Sequence, residues 1–152
     1  MVEAGVLIGF GDLPLCWHTP SLSPVAIPDS PDLWMAFWEN RERVSGFAHT
    51  HPGSGLPEPS HTDLTTFAAV EAGLGKRLNW FILTEDSFRL YRWKARPSIL
   101  NLADNFLVAR LSGVYDGPLY EADPIIQSSP ENPMYSREPA WMIELRRLSE
   151  YR

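Results

Sequence analysis

The chain is built of short apolar runs separated by polar stretches rich in proline and glycine. Residues Ala4–Phe10 carry no polar side chain, and a run of that length bounded by turn signals reads as a buried strand. Leu13–His18 reads as a second extended segment, and Val25–Ile27 as another that stops before Pro28. Arg43–Ala48 leads into His49 as a further strand. Gly46 lies within it, where the missing side chain allows close approach by another element. Leu78–Thr84 and Phe88–Trp93 flank Glu85, Asp86 and Ser87, the pattern of a hairpin. Arg89 and Arg92 then fall on opposite faces of its second strand.

Leu33–Trp38 is ambiguous. Ser30 and Pro31 suit an N-cap and a first helical position, and Leu33, Trp34, Phe37 and Trp38 have helical spacing. The short length and aromatic content favour a strand that turns through Glu39, Asn40, Arg41 and Glu42 into the next one. Three other stretches are helical by pattern. Ser60 is placed as an N-cap with Asp63 three residues on, close to a capping box. The helix after it covers Thr62–Ala72, buries Leu64, Phe67 and Ala68, and ends at Gly73 or Gly75. Ser98–Leu111 follows Pro97 and precedes Gly113, with Ile99, Leu102, Phe106 and Ala109 inward. Ala140–Tyr151 closes the chain with Trp141, Leu145 and Leu148 inward. Residues 117–139 read as a long loop that packs through Leu119, Tyr120, Ile125 and Ile126.

The chain has 152 residues, 44% hydrophobic and 21% charged, which suits one soluble domain with a real core. A net charge of -6 gives no basic footprint for nucleic acid. No apolar run is long enough to span a bilayer, and no charged-then-apolar leader precedes the first strand. One cysteine, Cys16, excludes an internal disulfide and suits a reducing compartment. The expectation is a cytoplasmic protein with no membrane or nucleic-acid partner.

The chemistry concentrates at His49, His51 and Asp63. In a strand, His49 and His51 share a face. Residues 52–59 bring the chain round to Asp63. Two imidazoles and a carboxylate are three ligands for a borderline divalent metal, and three protein ligands with one open position mark a catalytic zinc. His18 and His61 are expected to be packed or exposed instead, and Glu39 and Glu42 to face solvent.

His49-Thr50-His51-Pro52, followed by Ser60 and Asp63, resembles the JAMM (MPN-plus, JAB) zinc metalloprotease motif, H-[S/T]-H-P, a short loop, then S-x-x-D. The likeness is to bacterial and phage-type JAB proteins and spans roughly residues 1–95. Gly5-Val6-Leu7-Ile8-Gly9 matches the G-x-L-x-G part of the family's glutamate segment. Glu3 stands one residue closer to Gly5 than that pattern has it, and the His51–Ser60 loop is one residue longer than the commonest spacing.

The resemblance implies an α/β JAB/MPN (cytidine-deaminase-like) fold, a mixed curved sheet flanked by helices. Residues 1–112 would form that domain, with 113–152 packing on it where the family's N-terminal helix has no counterpart. It implies zinc held by His49, His51 and Asp63, Glu3 as general base and acid, and Ser60 stabilising the oxyanion. The substrate class would be a peptide or isopeptide bond in a protein, including a ubiquitin-like tail received in extended form. A non-catalytic MPN scaffold is the alternative, disfavoured because all three ligands are present. A zinc deaminase is disfavoured by the lone cysteine and the lack of an H-x-E.

Overall fold

The computed structural model describes residues 3–19, 31–52, 55–94, 120–128, 131 and 138–150. Its centre is a seven-stranded sheet in the order β2-β1-β3-β4-β5-β6, with β7 also against β5. The strands are β1 (Gly5–Gly9), β2 (Leu13–His18), β3 (Val44–Thr50), β4 (Asn79–Leu83), β5 (Ser87–Trp93), β6 (Tyr120–Ala122) and β7 (Ile126–Gln127). Among the described strands only β3 and β4 pair in parallel; the other pairings are antiparallel. A parallel pair needs a crossover, and helix α2 (His61–Leu74) supplies it. Helices α1 (Pro31–Glu39) and α3 (Ala140–Glu150) complete the described elements. None is long and apolar enough to cross a membrane.

Alternation along β1 and β3 divides the core into two layers. Leu7 and Phe47 join Leu33 and Phe37 of α1 and Phe67 and Val70 of α2. The Phe67 ring stacks on Trp80 with centroids 4.2 Å apart. On the other face Val6, Ile8 and Ala48 join Trp141, Met142 and Leu145 of α3. Both faces are therefore covered, which is why β1 reads as an unbroken apolar run. A Cβ on Gly46 would lie 2.5 Å from the Asn79 carbonyl oxygen, so the close approach expected there is made by β4.

Glu71 holds the α2–β4 connection together. Its buried carboxylate accepts from the Leu78 N–H at 2.7 Å and the Trp80 indole at 3.3 Å, and also from Arg77 and the Tyr120 hydroxyl. Gly75 ends α2 in the left-handed region, φ 69°, and its N–H bonds the Glu71 carbonyl. On the opposite face Arg146 of α3 donates to the Thr84 and Ser87 carbonyls at 3.2 Å and to Ser128 Oγ at 2.6 Å. The closing segment thus packs on the same sheet as the first strands.

Three expectations are corrected. Residues 31–39 are helical, not a strand running into a hairpin. Pro31 occupies the first helical position, where its fixed φ is pre-organised. Leu33 and Phe37, four apart, bury, while Trp34 and Trp38 stay partly exposed. Trp34 covers the open side of Gly73 on α2. Residues 120–122 and 126–127 are strand, not loop: β6 and β7 pair with the outer edge of β5, satisfying main-chain groups there. Within α2, Ala68 is exposed, and Val70 and Glu71 are buried instead. The strand at Val25–Ile27 and the helix at Ser98–Leu111 lie outside the described residues.

Glu71→Ala would leave four donors facing an apolar side chain. The expected loss is about 3 kcal/mol of unfolding free energy, measured by urea denaturation of the variant beside the parent.

Candidate metal centre

The centre forms where β3 ends and α2 begins. His49 and His51 project from the α1/α2 side, as the strand period requires. His51 extends the ladder past β3 by donating its N–H to the Leu83 carbonyl at 2.8 Å. The loop that follows is pinned midway: Pro57 is buried and its carbonyl accepts the Tyr91 hydroxyl at 2.8 Å. Ser60 then caps α2. Its hydroxyl accepts from the Asp63 N–H at 3.0 Å, and Asp63 Oδ2 accepts from the Ser60 N–H at 2.8 Å. The expected capping box is present, with aspartate in the glutamate place.

That box aims the Asp63 carboxylate at the histidines. His49 Nε2 and His51 Nε2 are 2.9 Å apart, His51 Nε2 is 2.9 Å from Asp63 Oδ2, and His49 Nε2 is 3.3 Å from Asp63 Oδ1. Ligand atoms around a tetrahedral zinc-sized ion, at its usual bond lengths, are about 3.3 Å apart. The donor set fits a divalent ion: two imidazole nitrogens and one carboxylate converge on a common point. This buried-to-half-buried group is able to hold a metal. His49 is 2% exposed, whereas the His51 side chain is 22% exposed, so the centre opens to solvent beside His51.

Burial opposes ionisation of Asp63. Hydrogen bonds with His49 and His51, the charge of His49 and the Ser60 N–H outweigh it and hold the carboxyl well below the usual carboxylate range. The negative charge a cation requires is therefore kept inside the fold.

The sequence matches no protein-family model and no curated protein. What the chain does has to be argued from the side chains themselves.

Ser60 is exposed at the helix start, and accepting from Asp63 leaves its hydroxyl proton to donate. Glu3 is half-buried. Gly5 is opposite His49 in the ladder, and the Thr50 N–H bonds the Ala4 carbonyl at 2.9 Å. Continuing that register sets the Glu3 backbone level with His51, one strand spacing of about 4.8 Å away. Glu3 precedes the first strand residue, Gly5; extending the alternation of β1 to it gives the face of Leu7, which is the face of the centre. His18 is opposite Gly5 on β2, so two strand spacings, about 9.6 Å, separate it from His49. Burial lowers its pKa and Asp32 partly restores it. His61, Glu39 and Glu42 are exposed. None of these four joins the metal group, as expected.

The sequence missed what Thr50 does. Its side chain points to the α3 face and bonds Ser149 Oγ at 2.6 Å. Alternation alone predicts that Thr50 faces away from the histidines, but not what it meets there.

Metal analysis of purified protein by mass spectrometry should find about one divalent ion per chain. His51→Ala and Asp63→Ala should each abolish it. Ser60→Ala should keep the ion while lowering stability by about 1 kcal/mol through the lost cap. Without metal, Asp63 stabilises the fold above the unfolded carboxyl pKa of about 3.9 and loses that contribution as pH falls below it. Asp63→Asn should therefore be less stable than the parent at neutral pH, with the gap closing in denaturation series taken below pH 4.

Proposed function

We propose that the chain is a zinc-dependent hydrolase of peptide or isopeptide bonds, a JAMM-type metallopeptidase of JAB/MPN fold. The observation that carries this reading is the convergence of His49, His51 and Asp63 at a strand end with one side open. A closed structural site would use four protein ligands. The mixed sheet with helices on both faces is compatible with the fold that the motif implies. Two imidazoles and a carboxylate suit a borderline divalent ion, zinc among them. When bound, it supplies a Lewis acid that acidifies water and polarises a carbonyl.

The chain's own groups do the rest. Asp63 and the histidines fix the site against the rigid end of β3. Glu3 takes a proton from the attacking water and returns it to the departing amine. Ser60 donates its hydroxyl proton to the oxyanion of the tetrahedral intermediate. Its N–H stays on Asp63, so one residue serves both the ligand and the reacting carbonyl. The substrate is a protein or peptide, including the tail of a ubiquitin-like protein. The single Cys16 suits a cytoplasmic setting. The non-catalytic scaffold reading is weaker, because all three ligands that the motif calls for are present and converge.

Zinc-loaded protein should cleave a panel of ubiquitin-like conjugates or extended peptides. Glu3→Gln should hold zinc normally and lose at least about a hundredfold in kcat. Ser60→Ala should lose about 10²–10³. Full activity in Glu3→Gln would move the base elsewhere. A zinc-loaded parent that cleaves nothing would favour the scaffold.

A further inference from the structure

We infer that a relay of hydroxyls from the C-terminal helix, Ser149 through Thr50, sets the position of Glu3 against the histidine pair. α3 is then part of the working centre, although it packs on the opposite face of the sheet. The inference rests on the reading of Glu3 as the base.

Thr50 lies between the two histidines in sequence and faces the other way. Its Oγ1 accepts the Ala4 N–H at 2.9 Å and lies 2.6 Å from Ser149 Oγ; Ser149 Oγ donates to the Leu145 carbonyl at 3.1 Å. Each hydroxyl has one proton and can also accept. With the Ser149 proton on Leu145, the Thr50 proton goes to Ser149, and the Thr50 lone pair is left for Ala4. The alternative acceptor for the Thr50 proton, the Ala4 carbonyl, is 3.5 Å away. The bonds thus run in one direction: Ala4 N–H to Thr50, Thr50 to Ser149, Ser149 to Leu145. Chains of this kind polarise one another.

The relay matters because of where it ends. In a regular antiparallel pair the Ala4 N–H would close a main-chain bond. Here it goes to the Thr50 side chain, at the residue next to Glu3. Ala4, Thr50 and Ser149 are each 1% exposed or less, so water has little access to replace a lost hydroxyl. Removing the Thr50 hydroxyl takes the acceptor away from the Ala4 N–H, and removing the Ser149 hydroxyl leaves the Thr50 proton only the Ala4 carbonyl at 3.5 Å; either change loosens the Ala4 peptide, and Glu3 shifts with it. His49, His51 and Asp63 are held by β4, Phe47 and the α2 cap and stay in place. Thr50 and Ser149 are therefore positioning residues.

The test uses Ser149→Ala, Thr50→Val, Thr50→Ser and, as a control elsewhere on α3, the exposed Ile143→Ala. Zinc content, kcat, KM and amide hydrogen exchange at Ala4 are measured in the full chain. Ser149→Ala and Thr50→Val should bind zinc like the parent and exchange Ala4 at least about tenfold faster. Their kcat should fall by about ten- to a hundredfold at little-changed KM, the scale of a small misplacement. Thr50→Ser should keep parent values, and so should Ile143→Ala. Unchanged Ala4 exchange and unchanged kcat would overturn the inference. So would loss of zinc in parallel with activity, or a Thr50→Ser variant as impaired as Thr50→Val. If Thr50→Val does not fold, Ser149→Ala decides alone. If the zinc-loaded parent cleaves nothing, the proposed function fails. Ala4 exchange in the two variants still decides the relay, faster supporting it and unchanged refuting it.

Discussion

The Asp63 carboxylate is the constraint on which the rest of the centre depends. It closes the first turn of α2 through the Ser60 N–H and faces both histidines at the end of β3. An ionised carboxylate is costly to bury unless its lone pairs are taken up, and here, among the described residues, they are met by the Ser60 N–H and the two histidines. The helix start and the candidate metal centre are consequently one arrangement of bonds. Aspartate at this position also has a geometric sense. It is one methylene shorter than the usual capping-box glutamate, which keeps the carboxylate close to the helix end and level with the strand.

The same economy runs through β3. Its alternate residues serve different layers. Phe47 and His49 join the α1/α2 layer, and Ala48 and Thr50 join α3. A strand buried on both faces cannot shift by one residue without exchanging the two sets. The parallel pairing with β4 and the close contact of Gly46 with Asn79 resist such a slip from the side. The histidines are therefore fixed by packing several residues away, not by their own contacts alone.

What was legible in the sequence was local. The two histidines span three residues and the Ser60–Asp63 box four, so residue type and period dictate their geometry. The strands at 5–9, 44–50 and 79–93 and the helix at 140–150 follow from similarly local patterns. The rest needed partners distant in the chain. Leu33–Trp38 is too short for its period to be decisive, and the α2 surface at Gly73 is what gives Trp34 a place to pack. Glu71 reads as an ordinary charged helix position. Its burial depends on Tyr120, which is 49 residues further on. The short strands at 120–127 exist because β5 presents an edge.

The spacing of Glu3 is best judged by the ladder rather than by counting from Gly5. A residue fewer between a base and a glycine would turn a side chain to the wrong face only if the register against β3 stayed fixed at that glycine. The register that matters to a proton acceptor is the one measured from the histidines. Gly5 is opposite His49, and extending that register and alternation two residues gives Glu3 a place level with His51, on the face of Leu7. The irregularities in the β1 ladders lie at Leu7–Gly9, toward the far end of the strand. The departure at the near end is the Ala4–Thr50 contact. The shortened spacing and the side-chain bond therefore occur together. A hydroxyl reaching from the next strand is a physically economical way to hold the main chain beside Glu3.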